Sequence, residues 1–277
     1  MFGRTAMHEP FGARILVLVP HPDDEVVAAA ASLGRAKQQG AALFALYLTD
    51  GCLSRETMWP WRRADHAAAV ARRRAEAERA AALLGLAPVG WGDRPARFLW
   101  REMSAVHAEI KAAIAAHKPD QIWAPAYEGG NPDHDALNAL GQAFVDELNV
   151  LEFAGYNYCG GKARAQEFPY PNGTETIVEL TTAERQTKRA LLRVYASEQN
   201  NLGYVGIDRE CFRPLAVYDY SRPPHPGTLW YARFQWVPFR HPRVDFTPPE
   251  EVSKAICEGL ASLLPASRGE GGGEAAG

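Results

Sequence analysis

The sequence predicts an α/β protein: a Rossmann-like, doubly wound, mostly parallel sheet carrying an irregular or β-rich C-terminal lobe. Three observations predict it. Strand-sized apolar runs recur without polar alternation, as expected of strands buried on both faces. Segments of helical periodicity separate them, and this alternation repeats through the first half of the chain.

The elements follow in order. "RILVLV" (14–19) and "LFALYLT" (43–49) are short apolar runs bounded by polar residues or glycine, and residues 23–39 suit a helix that stops at Gly40. Together they make a right-handed βαβ unit. A longer helix is expected over 62–84, with Ala and Leu on one side, Arg and Glu on the other, and Gly85 as its stop. "VGW" (89–91) is the next strand, and a helix over 103–117 leads to the strand "QIWAPA" (121–126). In "YEGGNPDHDALNALGQAFVDEL" a glycine-rich loop then opens into a helix.

After residue 150 the character changes. "LEFAGYNY" and "TETIVEL" read as strands, and "TTAERQTKRALLRVY" opens with Thr181 as N-cap and Glu184 three residues on, a capping box. Residues 203–247 are rich in proline and aromatics without helical period, and read as an irregular or β lobe over the sheet. The division expected is a flexible N-terminus at 1–12, a main domain at 13–200, a C-terminal elaboration of the same domain at 201–264, and a disordered tail at 265–277. The tail, "SRGEGGGEAAG", is too polar and glycine-rich to bury surface.

With 277 residues, 47% hydrophobic and 23% charged, the chain has the composition of a soluble globular protein with one core. A net charge of -3 gives no electrostatic reason for a nucleic-acid or anionic-membrane partner. Arg72, Arg73 and Arg74 read as a solvated helix face, with Arg73 and Glu76 as a helix-surface or interface pair. No apolar stretch is long enough for a transmembrane helix, and "MFGRTAMHEPFG" lacks the apolar core of a signal peptide, so the expectation is a cytoplasmic protein. Cys52, Cys159, Cys211 and Cys257 are scattered without a C-x-x-C pair, which suggests neither a disulfide framework nor a cysteine zinc site.

In an open α/β sheet, ligands gather beyond the carboxyl ends of the strands, where loops pass into helix N-termini. His21-Pro22-Asp23-Asp24 and Asn131-Pro132-Asp133-His134 both stand there, each after an apolar strand and before a helix. Either tetrad alone reads equally well as a helix cap, since acidic residues suit a first helical turn. The pair is much harder to explain that way. His21 and Asp24, three apart, face one side of a turn. With His134 they form the ligand set of a catalytic zinc site that keeps an open position for water. Two imidazoles and a carboxylate suit Zn and do not exclude Fe or Ni. Asp23, beside the metal without ligating it, is placed to take a proton from that water.

"PHPDDE" with a downstream "PDH" resembles the PIG-L/LmbE superfamily of zinc-dependent N-deacetylases. The likeness spans roughly residues 14–202 and takes in "LTDG" (48–51), "RRAEAERAAALLG" (73–85) and "KRALLRVYASEQ" (188–199). Carried over residue by residue, the resemblance makes His21, Asp24 and His134 the zinc ligands and Asp23 the general base and later acid. The family usually has histidine where this chain has Asn131. That histidine is understood to polarise the amide carbonyl or stabilise the oxyanion, oriented by the aspartate at Asp133. An asparagine amide donates a neutral hydrogen bond but neither carries charge nor passes a proton. The reaction implied is hydrolysis of an N-acetyl group on a small-molecule amino-sugar conjugate. An amidase acting on another acyl group or on a thiol conjugate stays open, as does a carbohydrate-binding relative weakened at Asn131.

The other candidates read more plainly. His66, His107 and His117 lie in expected helices without a partner at ligand spacing, and His225 and His241 punctuate proline-rich turns. Trp59, Trp61, Tyr127, Tyr156 and Tyr158 are expected mainly as packing, with stacking on a pyranose as the alternative.

Overall fold

Arg14–Val19 forms strand β1, and its side chains point alternately into two different cores: Ile15, Val17 and Val19 into one, Leu16 and Leu18 into the other. That is why the run is apolar throughout, since neither face meets water. The computed structural model describes residues 11–238, 241 and 244–263. The tail expected at 265–277, and all but residues 11 and 12 of the N-terminal segment, lie outside the described residues.

The remaining strands are β2 (Ala42–Tyr47), β3 (Ala87–Trp91), β4 (Gln121–Pro125), β5 (Asn149–Phe153), β6 (Tyr156–Asn157), β7 (Arg164–Ala165), β8 (Thr176–Glu179) and β9 (Arg209–Pro214). The helices are α1 (Asp24–Gln38), α2 (His66–Leu84), α3 (Met103–His117), α4 (Pro132–Gly141), α5 (Thr182–Val194) and α6 (Pro249–Leu263). A seven-stranded sheet runs in the order β3-β2-β1-β4-β5-β9-β8. The pairings among β1 to β5 are parallel, whereas β9 joins β5 and β8 antiparallel. This is the doubly wound, mostly parallel sheet expected. β6 and β7 form a separate antiparallel pair.

Helices α1, α2 and α5 lie on one face, where Val26, Ala29, Ala77, Ala80 and Leu191 share one core with the odd-numbered residues of β1. Helices α3, α4 and α6 cover the other with Val106, Ile110, Leu137, Val252 and Ile256. The alanines of α1 and α2 bring these helices close to the sheet, since small side chains need little room. Thr181 caps α5 as expected: its hydroxyl accepts from the Glu184 N–H at 3.3 Å while its own N–H donates to Glu184 Oε2 at 2.7 Å. The helix expected over 62–84 begins later, because Pro60–Asp65 forms a separate 3-10 turn before it.

Two elements were not legible in advance. Strand β9 lies in the stretch read as an irregular or β lobe over the sheet, but it enters the central sheet itself, with Glu210 and Arg213 buried; these charges are matched by Lys188 at 2.8 Å and Glu152 at 2.6 Å. Helix α6 buries Val252, Ile256 and Leu260, spaced four apart, on the α3/α4 side. No helix among the described residues is long and apolar enough to cross a membrane.

The chain winds outward from β1 through β2 to β3, then returns to place β4 on the other side of β1. The carboxyl ends of β1 and β4 therefore stand side by side where the winding reverses, the crevice in which such sheets bind ligands.

Candidate active site

The loop after β1 carries the first tetrad. Asp23 precedes α1 with φ at 140°, a backbone setting that an L-residue adopts only under strain. Its N–H donates to Glu25 Oε2 at 3.2 Å, and Tyr195 donates its hydroxyl to the other Glu25 oxygen. The segment "LTDG" braces the same turn. Thr49 donates its hydroxyl to Pro20 O at 2.7 Å, and Gly51, at φ 71°, lies where a Cβ would come within 2.8 Å of Pro22.

The second tetrad starts α4. Asn131 is its N-cap, its Oδ1 accepting from the Asp133 N–H at 3.0 Å, with Pro132 in the first turn. Asp135 ties down the glycine-rich loop by accepting from the N–H groups of Glu128 (3.1 Å) and Gly129 (3.0 Å). Gly130 has to be glycine for lack of space: a Cβ there would lie 2.4 Å from Tyr156 O.

The loops bring His21, Asp24 and His134 together, all buried, with one ligand atom from each within 4.8 Å of the others. A single carboxylate oxygen, Asp24 Oδ2, meets His21 Nδ1 at 3.0 Å, His134 Nε2 at 3.1 Å and the His21 N–H at 2.9 Å. The far nitrogen of His21, Nε2, sits 2.9 Å from Asp133 Oδ2. Asp133 also accepts from the N–H groups of Arg97 and Leu99. The expectation that Asp133 orients residue 131 is therefore corrected. The Asp133 carboxylate turns to His21 and the 97–99 loop, and Asn131 touches Asp133 only through the backbone N–H it caps.

The donor set fits a divalent ion. Two borderline-soft nitrogens and one carboxylate oxygen converge, and the carboxylate of Asp133 backs one imidazole as second partners of metal-bound histidines do.

Burial dominates the electrostatics. It opposes charge on His21, but the contacts with Asp133 and Asp24 outweigh it and push the imidazole up to about 10. Burial also pushes at Asp24, where His134 and His21 prevail and hold the carboxyl below its usual range. Asp23 is pushed up to about 8 by burial, offset in part by Arg73. Burial likewise raises Glu25 and Asp135 to about 7, and Glu128 well above the usual carboxylate range. Adjacent carboxyls with opposite shifts are a common mark of acid/base chemistry.

Arg73 is corrected from a surface residue to a buried one, only 4% exposed. Its Nη2 lies 3.3 Å from Asp23 Oδ2, and its Nη1 is 2.9 Å from Glu198 and 3.2 Å from Ser197. Glu76 accepts instead from Ser197. The segments 73–85 and 188–199 are thus wired to Asp23, a contact that a run of three arginines cannot signal.

Tyr156 packs edge-on against His134 with ring centroids 5.5 Å apart, and Trp230 and Tyr204 close around it at 5.1 and 4.5 Å. Of the other aromatics, Tyr127 packs on Tyr220 and Tyr158 on Trp230, whereas Trp59 and Trp61 stack on each other at 5.1 Å on the surface. His66 contacts Leu53 O at 3.0 Å, His107 stacks on Phe144 and His117 packs against Phe44, all apart from the cluster.

The PIG-L family model, GlcNAc-PI de-N-acetylase, matches residues 16–145. No curated protein matches the chain in sequence. Among solved structures, the A40926 pseudoaglycone deacetylase Dbv21 is 21% identical with a TM-score of 0.58, covering 75% of this chain and 100% of its own. A deacetylase of teicoplanin biosynthesis, in a complex with bog, is 20% identical with a TM-score of 0.60 over 74% of this chain and 99% of its own. The N,N'-diacetylchitobiose deacetylase from Pyrococcus horikoshii is 20% identical with a TM-score of 0.51 over 73% of this chain and 83% of its own. These likenesses establish a shared fold.

Proposed function

From the premise that residues 16–145 match the PIG-L family, we propose that this protein is a metal-dependent hydrolase that removes an N-acetyl group from an amino-sugar conjugate. The observation that carries the proposal is the meeting of His21 Nδ1 and His134 Nε2 on one oxygen of Asp24, at 3.0 and 3.1 Å, beside the strained and buried Asp23.

His21, Asp24 and His134 would hold the ion, zinc by donor type. When bound, such an ion supplies a Lewis acid for the amide carbonyl and makes water acidic enough to attack near neutral pH. Asp23 takes the proton from the attacking water and returns it to the nitrogen of the departing amine. Its raised pKa suits both halves of that task. Asp133 fixes His21 by holding Nε2, which leaves Nδ1 for the site. Asn131 uses Oδ1 as the helix cap, so its Nδ2 amide is the group available to meet a developing oxyanion. Acetate and a free amino sugar leave. A protein that only binds carbohydrate has no need of a buried base held by Arg73.

The test is acetate release from a panel of N-acetylated amino-sugar conjugates by protein loaded with zinc, with chelator-treated protein as control. Metal-dependent release supports the proposal. Turnover of larger acyl amides with none of N-acetyl sugars would replace it with the broader amidase reading.

A further inference from the structure

We propose that Glu128 is a positioning residue for His134 in the metal-loaded site, accepting the proton on its Nδ1 through one water, so that Nε2 faces the metal. The inference rests on the metal site proposed above.

Glu128 is wholly buried in the loop between β4 and α4. One of its oxygens, Oε1, accepts from the N–H groups of Gly155 at 2.8 Å and Tyr156 at 2.9 Å. The other, Oε2, makes no well-formed hydrogen bond among the described residues, the Asn157 side chain being the one polar side chain that stabilises this carboxylate, and His134 Nδ1 has no partner among the described residues either. The two side chains border one small space. A Cβ built on Gly155 would stand 3.0 Å from Glu128 Oε1 and 4.0 Å from His134 Nδ1.

A buried polar atom without a hydrogen bond is costly, and these two groups are complementary, an acceptor and a potential donor on side chains that meet at the same glycine. The chemistry asks for their pairing. For Nε2 to offer its lone pair to a metal, the proton must sit on Nδ1, and a buried N–H needs an acceptor. His21 already has such an arrangement, with Asp133 behind it at 2.9 Å. Glu128 supplies the counterpart for His134. Its position is also set from His134's side, because Asp135, the next residue, holds the Glu128 N–H at 3.1 Å. Burial favours the protonated acid at Glu128. The two amides on Oε1 and a cation in the site favour the carboxylate.

Glu128→Gln is the discriminating variant. It keeps an oxygen for the two backbone amides and turns a donor towards Nδ1. In zinc-loaded protein with 15N-labelled histidine, where the metal takes Nε2 and the proton must sit on Nδ1, the Nδ1–H signal of His134 should be sharp in the wild type and shifted or broadened by exchange with water in the variant. Zinc affinity, read by competition with a chromogenic chelator, should fall about 10- to 100-fold, as when outer partners of metal ligands are removed. Gly155→Ala puts a methyl 3.0 Å from Glu128 Oε1 and 4.0 Å from His134 Nδ1, crowding the space the two groups share, and should lower affinity in the same direction, which keeps the test available if Glu128→Gln fails to fold. An unchanged Nδ1–H signal with wild-type zinc affinity in Glu128→Gln would overturn the inference. Failure of the wild type to bind zinc would instead overturn the metal site and the inference with it, whereas equal zinc binding by wild type and variant overturns the inference alone.

Discussion

The guanidinium of Arg73 lies 3.3 Å from the carboxylate of Asp23, with both side chains buried. Arg73 comes from α2 and Asp23 from the turn after β1, so a cation from one element sets how readily the base on another gives up its proton.

The first prediction follows from that pair. Arg73 lowers the Asp23 pKa against the larger rise caused by burial, so Arg73→Gln should raise it further. A base must be unprotonated to work, and the acid limb of kcat/KM should move to higher pH by about one unit or more, the usual effect of removing an adjacent opposite charge. An acid limb at the wild-type position in Arg73→Gln would detach Asp23 from the profile. The wild-type limb itself should lie below the value of about 8 to which burial pushes Asp23, because a bound cation lowers the pKa of neighbouring acids.

Asp23→Asn separates chemistry from binding. The amide keeps the shape of the side chain and cannot take a proton. Metal content should stay at the wild-type level while turnover falls ~10²-fold or more. Near-normal turnover would remove Asp23 from the mechanism.

Asn131 has two separable roles. Asn131→Ser keeps a cap acceptor for α4 and removes the amide donor, so kcat should fall by roughly 10²- to 10³-fold with the melting temperature nearly unchanged. Asn131→Ala should show the same kinetic loss plus about 1 kcal/mol of lost stability from the missing cap. Wild-type kcat in both variants would leave Asn131 as a cap only.

The metal-free protein should become less stable as pH rises from about 4 to 10. His21 has a folded pKa of about 10 against an ordinary 6.5, so its stabilisation is complete below 6.5 and is lost as pH rises towards 10. Asp23, Glu25 and Asp135 are also raised, to about 8, 7 and 7, so the fold favours their protonated forms and weakens as they ionise. Asp24 is shifted the other way, and its contribution is lost only at pH below the ordinary carboxylate range. Thermal melts across this range check the sign, and a melting temperature that rises with pH would contradict it. Saturating zinc should remove most of the slope by displacing the His21 proton.

The legible parts of the molecule are those whose pattern has one cause. The apolar run at 14–19 and the alanines after Asp24 follow from burial on both faces, and the two tetrads stand out because each ends a strand and begins a helix. His21, Asp24 and His134 meet because β1 and β4 are neighbours, which alternating strands and helices imply. Strand β9 was hidden because "RECFRP" buries Glu210 and Arg213, whose partners Lys188 and Glu152 lie far away in sequence. Arg73 looked like its exposed neighbours, since what surrounds it is the turn after β1, Gly51 and the 195–198 segment, all distant in sequence. Glu128 precedes two glycines and carries no local signal of the histidine that shares its space. Asp133 is the instructive case: its place in the tetrad marks it as important, but its partner is set by the fold, which turns it to His21.

Metal content of wild type and His134→Ala, purified side by side and measured by elemental mass spectrometry, tests the central claim most directly. The account predicts about one divalent ion per wild-type chain and none retained by the variant, because a site of this kind rests on three protein ligands. A stoichiometric ion retained by His134→Ala would contradict it.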